Sequence, residues 1–71
     1  MDILIFKTNL KTMWDFNFLK SLLLGLPFVY DCTIDLDDCD KVLRVITDKQ
    51  SPEAIMNQIK NKGFFCEELE D

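Results

Sequence analysis

The sequence predicts an α+β fold in which strands and helices follow in the order βαββαβ. Three observations support this order. Apolar residues alternate with a period of two in residues 2–9 and 28–36, and recur at helical spacing in residues 12–24 and 51–63. Glycine, proline or a run of aspartates separates the segments. The 71 residues, 48% of them hydrophobic, suffice for a single domain over residues 1–71 with one small core.

The first strand is predicted over residues 2–9 with two partly apolar faces. Its side chains form two sets, Leu4, Phe6 and Thr8 on one face and Ile3, Ile5 and Lys7 on the other. Such a strand usually lies inside a sheet.

The first helix is predicted from Thr12 or Met13 to Leu24. Its apolar stripe consists of Phe16, Leu19 and Leu23. Thr12 is the expected N-cap, and Asp15 lies in the first turn, where a carboxylate favours the helix dipole. Gly25 and Pro27 end the helix.

A hairpin is predicted after Pro27. One face of its first strand is apolar and the other mostly polar, which is typical of an edge strand or a half-covered strand. The apolar face consists of Phe28, Tyr30, Cys32, Ile34 and Leu36. Residues 37–40 form a polar turn, and residues 41–47 form the second strand.

The second helix begins at Ser51-Pro52-Glu53, which combines a capping serine, a proline at the first position and an early carboxylate. Its apolar stripe is Ile55, Met56 and Ile59, and it ends by Gly63. Residues 64–69 form a last strand before an acidic tail. The predicted architecture is therefore ferredoxin-like: a four-stranded antiparallel sheet with two helices on one face.

The composition excludes several function classes. The chain has no histidine, so it has no imidazole base and no His-ligated zinc. Net charge −5 argues against a nucleic-acid partner, because phosphate binding needs a basic face. Three cysteines without a Cys-x-x-Cys pair form no disulfide framework. We expect no enzyme and no cofactor.

The predicted location is the cytoplasm. The longest uncharged apolar run, residues 21–30, is half the roughly 20 residues that a bilayer requires, so no membrane partner is expected. The first apolar stretch follows Asp2 and no basic region precedes it, which is unlike a secretion signal.

Three stretches resemble the heavy-metal-associated domains of copper chaperones and metal-ATPase N-terminal modules: residues 6–10, 40–45 and 59–64. The resemblance covers nearly the whole chain and implies the same ferredoxin-like fold. In that family, a Cys-x-x-Cys motif stands where the first strand turns into the first helix, and its two thiolates bind Cu(I) or a similar soft ion. Counted from Phe6, those positions fall on Thr12 and Asp15.

The resemblance thus implies a degenerate metal site. A hydroxyl and a carboxylate are hard donors, and they do not hold a soft ion against cellular thiols, so we expect no metal. A relocated site would use Met13, Cys39 and Cys66, which the topology brings to one end of the sheet. We favour the alternative that Cys66 packs as a small apolar residue and Cys39 is an exposed turn residue. Cys32 is expected on the buried face.

The aspartates of the hairpin do not form a calcium loop. An EF-hand loop starting at Asp35 would have Asp40 at its sixth position instead of glycine, and Ile46 at its twelfth instead of glutamate. We interpret these aspartates as a solvated strand face and turn.

A surplus of apolar side chains indicates an interaction surface. One set lies at the start of the first helix: Met13, Trp14 and Phe18. Trp14 could equally belong to the core instead of to this surface. A second set is expected on the helix-free sheet face: Ile3, Ile5, Val42 and Ile46. The leading hypothesis is a protein-interaction module that binds a protein partner or itself. The alternative is metal binding or transfer through the relocated site.

Overall fold

The computed structural model describes residues 1–69 and has the predicted order of elements. The elements are β1 (Asp2–Thr8), α1 (Met13–Leu24), β2 (Val29–Asp35), β3 (Val42–Thr47), α2 (Pro52–Asn61) and β4 (Cys66–Glu68). Most boundaries lie within one or two residues of the prediction, but β4 is shorter. The end of the predicted acidic tail, Glu70 and Asp71, lies outside the described residues. Neither of the two helices is long and apolar enough to cross a bilayer.

The four strands form one antiparallel sheet in the order β2-β3-β1-β4. The predicted positions are confirmed: β1 lies inside the sheet, between β3 and β4, and β2 forms an edge. Both helices pack against one face and enclose a single core. Its fully buried side chains include Phe6, Leu10, Leu19, Leu23, Leu43, Val45, Ile55 and Ile59. The α+β, ferredoxin-like prediction is confirmed.

The side chains of β2 do not alternate as strictly as predicted, because the strand contains a β-bulge. The pairing with β3 shifts between Val29 and Asp31, which leaves Tyr30 as the extra residue. Val29 is therefore buried, whereas Tyr30 is 54% exposed. The bulge adds one residue to the strand and reverses the side-chain alternation before Cys32. A strictly period-two interpretation misplaced both residues.

The helix-free sheet face exposes fewer apolar side chains than the sequence predicted. Ile3 is 61% exposed, and Ile5 and Ile46 are half-buried. Val42 is only 7% exposed, so the prediction that it belongs to an interaction surface is wrong. It is a short side chain on an interior strand, flanked by β1 and β2. The neighbouring strands leave little of it open to water.

Two buried threonines on the helix-covered face differ in their hydrogen bonding. The hydroxyl of Thr8 donates to the Lys41 carbonyl at 2.6 Å and accepts the Leu10 N–H at 3.3 Å. The hydroxyl of Thr47 is fully buried and has no hydrogen-bond partner among residues 1–69. A buried polar group without a partner destabilises the folded state.

Thr47→Val should therefore raise the free energy of unfolding by about 1 kcal/mol, because it removes an unpaired hydroxyl at nearly constant volume. Thr8→Val, the matched control, should lower it by about 1–3 kcal/mol, because the Lys41 carbonyl and the Leu10 N–H lose their partner. Urea unfolding of both variants measures the two effects. Equal destabilisation by both substitutions would contradict the assignment.

Candidate functional site

The connection between β1 and α1, residues 9–12, is fixed by hydrogen bonds on both flanks. We call it the cap loop. On one flank the Thr8 N–H donates to the Asp40 carbonyl, in the β2–β3 turn, at 3.0 Å. On the other flank the Phe65 N–H donates to the Asn9 side-chain carbonyl at 2.9 Å. The side chain of Leu10 is fully buried between them. The loop is thus held in place by its neighbours in the sheet.

The end of the cap loop is also the N-cap of α1. The Thr12 hydroxyl accepts the Asp15 N–H at 3.2 Å, and the Asp15 carboxylate accepts the Lys11 N–H at 3.2 Å. This reciprocal arrangement resembles a capping box, shifted by one residue at the carboxylate contact. The predicted cap is confirmed. The two positions that the resemblance assigns to metal ligands are occupied by side chains that bond to backbone N–H groups.

The cap loop does not fit a soft metal ion. Thr12 and Asp15 present oxygen donors, and soft d¹⁰ ions prefer thiolate or thioether sulfur. Met13 supplies one thioether there, and the loop itself contains no cysteine. The same oxygens accept hydrogen bonds that fix the start of α1. The donor set is therefore hard and already takes part in capping the helix.

Two of the three cysteines are buried as thiols. Cys32 lies in the core, and burial raises the pKa of its thiol from 9.0 to about 11, against a smaller opposite effect of Lys20. Cys66 is also in the core, with Sγ 3.8 Å from the Met56 carbonyl. Burial raises the pKa of this thiol too, and Lys60 lowers it in part. Neither environment favours the thiolate that binds metals.

The third cysteine, Cys39, is exposed in the β2–β3 turn. Its sulfur lies within 4.8 Å of carboxylate oxygens of Asp38 and Asp40, its neighbours in the sequence. β1 stands between this turn and Cys66: Thr8 pairs with Cys66 on one side and bonds Asp40 on the other. Cys39 and Cys66 therefore lie on opposite flanks of β1, one exposed and one buried.

The start of α1 carries an exposed apolar surface beside the cap loop. Trp14 is 85% exposed and Phe18 52%, so the core alternative for Trp14 is excluded. The Phe18 ring lies 6.5 Å from the ring of Phe64, which follows α2. We define the aromatic surface as Met13, Trp14 and Phe18, all exposed. Phe65, which precedes β4, is 46% exposed and was not among the predicted surface residues.

The arrangement is suited to surface contact. No pocket or cleft opens within residues 1–69. This end of the molecule consists of a hydrogen-bonded loop, a capped helix end and exposed aromatic rings. Aromatic residues are enriched in the centres of protein interfaces.

Solved structures share this fold across the whole chain. The copper transporter domain Ccc2a of yeast, studied in apo and Cu(I) states, is 25% identical over 100% of this chain and 99% of that one, with a TM-score of 0.84. A chain of the Atx1–Cu(I)–Ccc2a complex is 27% identical over 97% and 96%, with a TM-score of 0.82. A copper-binding domain of HMA7, a P-type ATPase, matches in fold, at 20% identity over 99% and 96% and a TM-score of 0.84.

Neither a family model nor a curated protein matches the chain in sequence. The structural likeness nevertheless agrees with the resemblance noted in the sequence: the chain has the ferredoxin-like fold of these copper-binding domains.

Removal of the α1 cap should destabilise the fold. Thr12→Ala deletes the acceptor of the Asp15 N–H and should lower the free energy of unfolding by about 0.5–2 kcal/mol. Ser51→Ala at the start of α2 is the matched control, because Ser51 makes no side-chain cap hydrogen bond, and its effect should be smaller. Denaturant unfolding of both variants measures the difference. A larger loss of unfolding free energy in Ser51→Ala than in Thr12→Ala would contradict the role of Thr12 as the N-cap of α1.

Alkaline pH should destabilise the fold through Cys32. The folded thiol has a pKa of about 11 and the unfolded thiol one near 9.0, so its stabilising effect is complete below pH 9 and is lost as the pH rises through about 11. The free energy of unfolding should therefore fall less steeply over this range in Cys32→Ala than in the unsubstituted protein. Cys39→Ala, which changes an exposed thiol, should keep the original slope. Identical slopes in all three proteins would refute the assignment.

Proposed function

We propose that this chain is a non-catalytic protein-docking domain on a heavy-metal-associated scaffold whose metal loop has become a helix cap. The observation that carries the proposal is the reciprocal bonding of Thr12 and Asp15. These side chains occupy the positions that the resemblance assigns to the two thiolates. They retain the geometry of the loop without a soft ion.

The aromatic surface is the proposed contact region. Trp14 stands beside the cap loop with most of its ring in water, and tryptophan is among the residues that contribute most to binding at interfaces. The Atx1–Cu(I)–Ccc2a complex supports a docking role, because it joins two different proteins and one of its chains shares this fold. The helix-free sheet face around Ile3, Ile5 and Ile46 is a second candidate surface.

The proposed location is the cytoplasm. All three cysteines are free thiols, and such thiols persist in a reducing compartment.

Metal binding or transfer is the second candidate function. It is favoured by the copper-binding proteins that share the fold and by the grouping of Cys39 with Asp38 and Asp40. It would use the exposed Cys39 and the thioether of Met13, with Cys66 contributing only if its thiol left the core.

Titration of the anaerobic, reduced protein with Cu(I) beside a competing chelator separates the two functions. The unsubstituted protein should bind no stoichiometric, chelator-resistant Cu(I), because its cap loop offers hard donors. Thr12→Cys/Asp15→Cys should gain such binding, because it places two thiols at the start of α1. Thr12→Ser/Asp15→Asn, the matched control without thiols, should not.

Two results of the Cu(I) titration would contradict the proposal. Tight stoichiometric binding by the unsubstituted protein, abolished by Cys39→Ser or Cys66→Ser, would replace docking by the relocated metal site. Absence of binding in Thr12→Cys/Asp15→Cys, with the fold retained by circular dichroism, would show that the loop is not equivalent to the family's metal loop.

A further inference from the structure

Three segments lie side by side at the end of the molecule that carries the cap loop. The connection between α2 and β4 contacts the cap loop through Phe65 and Asn9. The β2–β3 turn contacts the preceding strand through Asp40 and Thr8. The three segments therefore follow the order of the strands, with the cap loop in the middle.

The two outer segments carry opposite charge. Lys60 and Lys62 stand exposed where α2 ends. Asp37 is exposed and Asp38 half-buried in the β2–β3 turn. The ion pairs found among residues 1–69 involve other groups: the N-terminus with Asp48, Lys7 with Asp40, and Lys20 with Asp31. Lys60, Lys62, Asp37 and Asp38 therefore have no counter-ion in the described part of the chain.

The middle of this end combines the exposed polar residues of the cap loop, including Lys11, with apolar side chains at the start of α1. Met13 and Trp14 follow the cap loop directly, and the ring of Phe18 lies near that of Phe64. Exposed aromatic side chains thus stand between a flank with Lys60 and Lys62 and a flank with Asp37 and Asp38. Such a surface is complementary to itself when one copy is rotated by half a turn about the aromatic centre.

We propose that this end binds a second copy of the chain in a two-fold symmetric dimer. This proposal rests on the docking function and names its partner. In the dimer, Trp14 and Phe18 of both copies meet at the axis. Lys60 and Lys62 of each copy face Asp37 and Asp38 of the other, so that each charged contact occurs twice.

The spacing of the sheet is compatible with this arrangement. Strands are about 4.8 Å apart, so β4 and the middle of the β2–β3 turn are separated by about 12 Å across the intervening strands. Lys62 lies in the connection that leads into β4, so the basic and acidic flanks stand on opposite sides of the cap loop.

The association should be weak. Standard interfaces take about 800 Å² from each partner, which is a large share of the 4509 Å² surface of this protein. The net charge of −5 on each copy also opposes association, although it is screened over about 8 Å at physiological ionic strength. A dimer that forms at high protein concentration is the expected result.

Sedimentation equilibrium of the full chain at about 0.15 M salt, with protein up to the millimolar range, tests the proposal. A reversible monomer–dimer equilibrium should appear, and Trp14→Ala should weaken it at least about tenfold. Leu24→Ala, which truncates an exposed side chain at the far end of α1, should leave it unchanged. A strictly monomeric protein, or equal weakening by both substitutions, would overturn the proposal.

A charge exchange tests the two-fold geometry. Two double variants should each lose self-association: Lys60→Glu/Lys62→Glu and Asp37→Lys/Asp38→Lys. In the first variant both flanks are acidic and in the second both are basic, so that the facing flanks of two copies repel each other. A mixture of the two variants should recover a one-to-one dimer, because every flank again meets the opposite charge. Failure of the mixture to associate would refute the arrangement even if the unsubstituted protein dimerises.

Failure of the dimer is distinguishable from failure of the docking function. A protein that stays monomeric and binds no Cu(I) remains a docking domain for a different protein. A protein that binds Cu(I) tightly through Cys39 or Cys66 refutes the docking function itself.

Discussion

The first turn of α1 has backbone N–H groups that the helix cannot satisfy itself, and the structure at this end depends on how they are satisfied. In this protein Thr12 and Asp15 accept two backbone N–H bonds, one within that turn and one from Lys11 just before it. The helix start is thereby fixed relative to the cap loop, and Asn9 and Thr8 fix the loop relative to the sheet. Trp14 is exposed on a rigid support. A mobile loop would lose more conformational entropy on binding than this one.

Because Thr12 and Asp15 cap the first helix, the shared fold does not by itself imply that this chain binds copper as similar proteins do. The scaffold matches copper-binding domains over its whole length, and a fold by itself does not assign a function. Soft-metal binding depends on two sulfur atoms at two positions. At the positions that the resemblance assigns to those atoms, this chain has a hydroxyl and a carboxylate, and its three thiols are divided between the core and an exposed turn.

The architecture could be predicted from the sequence because its local signals agree with one another. The stripe of Phe16, Leu19 and Leu23 and the cap at Thr12 define α1 without reference to the rest of the chain. Tyr30 could not be placed, because a bulge depends on the pairing between two strands rather than on the alternation within one. The burial of Val42 likewise depends on neighbours from β1 and β2. The relation between Cys39 and Cys66 follows from the order of the strands, which sets β1 between them.

The edge strand β2 has a further consequence. Its outer side has no strand partner among residues 1–69, but the bulge at Tyr30 interrupts its regular pairing with β3, and Asp31 and Asp35 add negative charge. The other edge, β4, is only three residues long. Irregular, charged or short edges are poor templates for the addition of further strands. These two edges therefore favour a molecule that does not add strands to its sheet at high protein concentration.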